Sequence, residues 1–440
     1  MHPSAPPLPV NLDGIIPLLP HQQHPSQQQQ HSSQQTPQQP QQQPIEEAQL
    51  ERLVQQGYTR GLATSLNDTK KSFARRIWLV DNSGSMQTTD GHRLVATGRD
   101  VHQVSLESCS RWEELHETVV YHIQMAAAMN AFTTFRLLNH PGAAVGPQQW
   151  SIGQPQQQDG SGDNNNHVAA ALTWIQKTRP GGCTPLTQHI LEIHREIVAE
   201  EHALRSSGQR VVIVLATDGL PTDERGYGGP LHQEEFMTSL RMLEGLPVWI
   251  IVRLCTDEDN VVSFYNELDS QLELSVEVLD DYTSEAAQVH QHNPWLTYGL
   301  PLQRMRELGF QERVFDLLDE RPMTKHELRD FMAILFGRDF MDGIPDPMLD
   351  WDGFEQHIRI LNQNESNTLV RSIKPWKLES WFLLLCLKDT DCIDTQIGFC
   401  LFDFCPHKNP ITKKMEPWIN MQKLNRIYGD RSTCEVCRIM

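Results

Sequence analysis

Residues 74–292 predict a doubly wound α/β fold, a mostly parallel sheet flanked by helices. Two observations carry this. Short apolar runs recur at Ile77–Val80, Val211–Ala216, Val248–Val252 and, broken by Ser275 and Glu277, at Leu274–Leu279, and stretches of helical periodicity lie between them. Unbroken apolar runs of that length suit strands buried on both faces of a parallel sheet.

The elements follow in order. The texture of the chain changes at Arg76, where Ile77-Trp78-Leu79-Val80 ends in Asp81. Ser110-Arg111-Trp112-Glu113 reads as a capping box opening a helix, with Trp112, Leu115, Val119, Ile123 and Ala126 at helical spacing. Leu186, Ile190, Ile193 and Ile197 mark a second long helix, and a final helix is expected at about 283–292. Residues 139–166 end in Gln-, Gly- and Asn-rich sequence and predict a flexible surface insertion within the domain.

Outside this span the chain is less regular. Residues 1–44 are rich in Gln, Pro, Ser and His, with too little apolar surface to offset the entropy of ordering, and are expected to be disordered. Residues 45–57 fit one short helix. Residues 294–440 form a C-terminal region with helical segments at Leu302–Leu308 and Lys325–Phe336, and the pattern assigns this region no fold.

Composition narrows the function. The 440 residues hold 37 basic and 56 acidic side chains, for a net charge of −19, the wrong sign for a binder of nucleic-acid backbone. Nine cysteines in a chain this long do not make a disulfide scaffold. The first residues lack a positive region followed by an apolar stretch, and the longest apolar run, Trp381–Leu387, is far short of a spanning helix. The expectation is a cytoplasmic protein with free thiols.

Three short segments concentrate oxygen-bearing side chains. Asp81-Asn82-Ser83-Gly84-Ser85 follows the first strand, Gly181-Gly182-Cys183-Thr184-Pro185 opens a helix, and Ala216-Thr217-Asp218-Gly219 ends another strand. In an open α/β sheet, ligands bind beyond the carboxyl ends of strands near the switch in strand order, so the predicted fold brings these segments together. Carboxylate and hydroxyl oxygens favour a hard cation, Mg2+ or Mn2+. Two carboxylates and three neutral hydroxyls leave such an ion electrophilic toward another carboxylate, which suits binding rather than hydrolysis. Each segment also has a plainer reading. Thr184-Pro185 is a common helix start, and Asp81-Asn-Ser-Gly and Asp218-Gly are common turns.

Together, in order and on these strand and helix ends, the D-x-S-x-S segment, the later Thr and the later Asp resemble the metal-ion-dependent adhesion site of the von Willebrand factor A (vWA) domain family. The resemblance spans residues 74–292, about half the chain. It implies that Ser83, Ser85 and Thr184 coordinate one Mg2+ or Mn2+ ion directly and that Asp81 and Asp218 do so directly or through water. It leaves the sixth position for an Asp or Glu of a protein ligand. It further implies a protein-interaction module resembling the intracellular members of the family. A site that folds without binding metal is the remaining alternative.

Enzymatic readings find less. An aspartate-based phosphatase would want Asp where Ser83 stands, and the G-x-S-x-G, G-x-x-x-x-G-K-[ST] and H-E-x-x-H patterns are missing. The Asp-rich stretch 339–352 fails as an EF-hand, because counting from Gly343 or Gly353 puts Leu349 or Arg359 where the last Glu belongs. No small-molecule substrate is evident. Two alternatives stay open: an enzyme whose catalytic part lies in 294–440, and a scaffold whose Gln-rich tail does the work around a structural metal.

The last four residues, Cys437-Arg438-Ile439-Met440, fit a C-a-a-X prenylation pattern, although Arg438 is not aliphatic. One prenyl chain anchors weakly, so a second signal is expected. Cys434 is a candidate for palmitoylation, and residues 406–440 carry seven basic against three acidic side chains, which favours an anionic cytoplasmic membrane face. A zinc site of Cys405, His407, Cys434 and Cys437 competes for the same thiols.

Overall fold

The computed structural model describes residues 43–96, 104–154, 164–372, 409–412 and 416–429. The Gln-rich segment up to residue 42, Cys405, His407, Cys434 and Cys437 lie outside the described residues.

The apolar runs form strands β1 (Phe73–Val80), β6 (Arg210–Thr217), β7 (Val248–Leu254) and β8 (Val276–Leu279). Two more strands, β4 (Thr133–Leu137) and β5 (Gln149–Ile152), complete a six-stranded sheet in the order β5-β4-β1-β6-β7-β8. All neighbours pair in parallel except β5, which runs antiparallel to β4 at the edge. A separate antiparallel hairpin joins β2 (Gly91–Ala96) and β3 (Val104–Cys109).

Side chains alternate between the two faces, as the strand period requires. On one face, Ile77 and Leu79 of β1 and Val211, Ile213 and Leu215 of β6 pack under α5 (Leu186–Ser207), α6 (Pro230–Arg241) and α7 (Asp259–Gln271). On the other, Trp78, Val80, Val212 and Val214 meet α3 (Arg111–Ala128) and α4 (Asn164–Lys177). Helices therefore cover both faces of a mostly parallel sheet. The predicted capping box is present: Ser110 Oγ accepts from Glu113 N at 3.2 Å, and Glu113 accepts from Ser110 N at 2.8 Å.

β4 and β5 were not legible as apolar runs. Thr133-Thr-Phe-Arg-Leu137 is buried throughout, yet three of its five side chains are polar. Each has local partners: Thr133 donates to the Ala131 carbonyl at 3.1 Å, Thr134 bonds Ser151 at 3.0 Å, and Arg136 donates to Gln149 at 2.8 Å and Glu196 at 2.5 Å. β5 falls inside residues 139–166, the expected flexible insertion. Gln149–Ile152 takes up strand geometry there because β4 offers it an open edge, and Trp150 stacks near Trp174 of α4.

The C-terminal region joins the N-terminal helices. Helices α1 (Gln43–Gln55), α2 (Arg60–Lys71), α8 (Tyr282–His292), α9 (Leu300–Glu307), α10 (Arg313–Glu320), α11 (Lys325–Phe336), α12 (Trp351–Ser372) and α13 (Met421–Tyr428) share one apolar cluster, with Trp295, Phe315, Phe331 and Trp418 fully buried. The expected division near residue 293 falls between α8 and α9, and α9 is buried against the sheet domain. Arg76 of β1 donates to the Leu308 carbonyl at 2.9 Å, and His122 of α3 meets Glu307 at 2.8 Å. The described residues beyond 293 could not detach without exposing those groups.

Helix α2 meets α11 at a glycine. A Cβ on Gly61 would overlap the Gly337 nitrogen and stand 2.5 Å from the Phe336 carbonyl carbon, and nearby Thr59 Oγ1 bonds the Leu335 carbonyl. Gly61→Ala gains helix propensity but must push the two helices apart. The expected result is a loss of about 2–3 kcal/mol, read as a lower urea midpoint at unchanged slope. An unchanged midpoint would show that α11 moves away freely.

Candidate functional site

The parallel topology puts the ends of β1 and β6 side by side at the centre of the sheet, where the strand order reverses. Asp81 continues from β1, its N–H donating to the Ala216 carbonyl at 2.9 Å, and Asp218 follows β6. Asp81, Ser83, Thr184 and Asp218 are buried, whereas Ser85 is exposed, so the cluster opens to solvent on the Ser85 side.

Four of the five expected residues form a connected set. Asp81 Oδ1 accepts from Ser83 N at 2.8 Å, and its Oδ2 accepts from Thr217 Oγ1 at 2.6 Å. The Ser83 and Ser85 hydroxyls lie 3.0 Å apart, and Ser85 Oγ donates to Asp218 Oδ1 at 2.8 Å. The fifth, Thr184, arrives from the loop before α5. Its hydroxyl lies 3.6 Å from where a Cβ on Gly219 would stand, beside Asp218. The plainer reading of Thr184 as a helix cap fails: Pro185 holds that position, and no side chain caps the helix there.

Backbone bonds fix the loops to one another. Gly84 N donates to the Gly182 carbonyl at 3.1 Å and Gly181 N to the Asn82 carbonyl at 2.7 Å. Asn82 and Asn139 exchange bonds at 3.0 and 2.8 Å, and Asn139 also bonds both the N–H and the carbonyl of Cys183. Gly182 must be glycine here, because its φ is +100° and a Cβ would strike the Asn139 side chain. Thr222 accepts from Thr184 N at 3.0 Å and so holds the third segment in register.

Electrostatics are those of two anions taken out of water. Burial pushes the Asp81 carboxyl up to about 6, and the nearby Asp218 charge adds to the shift. Burial also raises Asp218, against the bonds from Ser85 and Arg111. A buried carboxylate pair of this kind gains from a cation between its members, and every donor in the set is an oxygen. The residues therefore fit a hard divalent ion. Among the described residues no group of three or more His, Cys, Asp or Glu side chains could hold a metal; the cluster here has two carboxylates, and its other side-chain oxygens are hydroxyls.

Sequence reasoning missed Arg111. Its Nη1 donates to Asp218 Oδ2 at 3.0 Å, while Nη2 pairs with Asp90 at 2.6 Å and Glu258 at 2.9 Å. The bonds it donates to Asp90 are the largest of the effects that hold its guanidinium protonated. One signal was available. A cation at the first position of a helix opposes the helix dipole and calls for an anionic partner. Nothing in the sequence said which one.

Among the described residues, no helix is long and apolar enough to cross a membrane. No family model matches the sequence, and no curated protein matches it.

Proposed function

We propose that this chain is a protein-interaction module of vWA type, in which an Mg2+ or Mn2+ ion captures an Asp or Glu side chain of a partner. The observation that carries the reading is the chain of oxygens from Ser83 through Ser85 to Asp218, at 3.0 and 2.8 Å, beside Asp81 and at the mouth of the sheet. Asp81, Ser83, Ser85, Thr184 and Asp218 would hold the ion, and Ser85 stands on the open side. When bound, the ion supplies a Lewis-acidic position for a carboxylate oxygen.

Two further features support this reading. With the six sheet strands numbered among themselves along the chain, their spatial order is 3-2-1-4-5-6, with an antiparallel edge at one end. This order reverses beside Asp81, where the doubly wound fold places its ligands. Arg111 offsets part of the Asp218 charge, so the protein neutralises an ion incompletely and leaves it attractive to an outside anion. That balance favours binding over catalysis.

The test is calorimetric titration of the full chain with MnCl2 at neutral pH. One ion per chain is expected, with competition by MgCl2. Absence of saturable binding would refute a metal role for these five residues.

A further inference from the structure

The oxygen cluster offers a cation fewer free oxygens than its two carboxylates contain. Asp81 Oδ1 accepts from Ser83 N at 2.8 Å, and its Oδ2 accepts from Thr217 Oγ1 at 2.6 Å. An amide or hydroxyl donor occupies one lone pair of an oxygen and brings no net charge, so either Asp81 oxygen can still turn a lone pair to an ion. Asp218 differs. Its Oδ1 accepts from the Ser85 hydroxyl at 2.8 Å, but its Oδ2 accepts from Arg111 Nη1 at 3.0 Å. A divalent ion on Oδ2 would share that oxygen with a full positive charge, and like charges so close in a buried site repel strongly.

Arg111 is held where it stands. It is 3% exposed. Asp90 grips it as a fork, Nε to Oδ1 at 2.7 Å and Nη2 to Oδ2 at 2.6 Å, and Nη2 also donates to Glu258 at 2.9 Å. Paired donors of this kind fix the plane of a guanidinium. Asp90 immediately precedes β2 and Glu258 immediately precedes α7, so two separate segments press Arg111 against Asp218.

We propose that Arg111 sets which cation the site takes: by blocking Asp218 Oδ2 it restricts Asp218 to one oxygen, and so selects Mg2+ or Mn2+ against Ca2+. This rests on the metal-dependent function proposed above. One oxygen from each of the five residues, directly or through water, and one from a partner make six, which suits the octahedral preference of Mg2+. Ca2+ is larger, takes roughly six to eight oxygens, and its sites commonly include a carboxylate that gives both. Asp218 cannot do so while Arg111 is in place. The guanidinium also cancels one of the two carboxylate charges, and Ca2+ affinity in oxygen sites rises with the charge of the ligands. Arg111 touches Asp218 rather than the ion, so it is a positioning residue.

The test is competition calorimetry with MnCl2 and CaCl2 on the full chain at neutral pH, for the wild type and Arg111→Gln, each first checked for cooperative thermal unfolding in EDTA. The wild type should prefer Mn2+. In Arg111→Gln that preference should fall by roughly tenfold or more, because Ca2+ gains both an oxygen and a ligand charge. Arg111→Lys, which keeps a positive charge beside Asp218, should retain more of the preference than Arg111→Gln. A second measurement needs no variant. The infrared difference spectrum on adding Mn2+ to wild-type chain, labelled with 13C at the aspartate side-chain carboxyls, should show widely split carboxylate stretches, the mark of one-oxygen binding. Narrowly split stretches, the mark of two-oxygen binding, would overturn the proposal even if Arg111→Gln does not fold. An unchanged preference in Arg111→Gln, or a wild type that takes Ca2+ as readily as Mn2+, would overturn it while leaving the proposed function standing. No saturable binding of either ion to the wild type would remove both.

Discussion

Asp81→Asn is expected to abolish Mn2+ binding while leaving the metal-free protein at least as stable as the wild type. Asn retains an oxygen to accept from Ser83 N, and the Thr217 hydroxyl can rotate to accept from the new NH2. What is lost is a buried charge beside Asp218, which both burial and that neighbour make costly. The bonds from Ser83 and Thr217 offset part of that cost, and on the proposed reading a bound cation would relieve the rest. With Mn2+ at a hundred times its dissociation constant, the wild type should gain about 2.7 kcal/mol and the variant nothing. Thermal unfolding in EDTA and in MnCl2 reads both quantities. If the variant is stabilised by Mn2+ as strongly as the wild type, Asp81 does not hold the ion. If it is much less stable in EDTA, Asp81 serves the fold.

Arg306→Met should cause the largest loss of stability. Arg306, in α9, is buried between Glu277 of β8 at 2.8 Å, Glu285 of α8, and Asp319 of α10 at 3.2 Å. It ties the edge of the sheet to the helices on either side of residue 293. Removing one partner of a buried ion cluster leaves charges that nothing neutralises, and costs roughly 3–5 kcal/mol.

The loss should depend on pH in a definite direction. Burial already lifts Glu277 to about 7, and it lifts Glu285 well above the usual carboxylate range, against the pull of Arg306. A carboxyl raised in the folded state contributes stability in full below its unfolded value, about 4.3, and loses it as pH rises through the folded value. Without the guanidinium both groups rise further, so the variant keeps losing stability where the wild type has levelled off. The deficit should therefore be larger at pH 8 than at pH 5.5, measured as the difference in thermal midpoint. A deficit that stays constant, or shrinks toward pH 8, would show that shape rather than charge makes Arg306 necessary.

Much of the sheet was legible because its central strands are buried on both faces. Ile77–Val80 and Val211–Ala216 are unbroken apolar runs, and burial on two sides is what such runs mean. β4 was not legible, since Arg136 and two threonines sit in a buried strand that only β5 and α5 make tolerable. The helices beyond residue 293 had readable local signals, Thr324 capping Lys325–Phe336 among them. Their packing partners α1 and α2 lie on the far side of the sheet domain in sequence, and local periodicity says nothing about such long-range pairing.

The candidate site divides in the same way. Asp81, Ser83, Ser85, Thr184 and Asp218 were found because residue type and strand ends coincide. Thr217, Asn139 and Arg111 were missed because their roles depend on distances between segments. Arg111 matters most of these, since its pairing with Asp218 offsets part of the negative charge of the cluster.

On the function proposed above, the ion forms part of the contact with a partner. Affinity capture with the full chain, in MnCl2, in EDTA, and with Asp81→Asn as bait in MnCl2, tests this. The expected result is a partner retained only by the wild-type chain with metal and released by free glutamate or acetate in excess. The same partners in all three conditions would contradict it and make the cluster a structural feature of the fold.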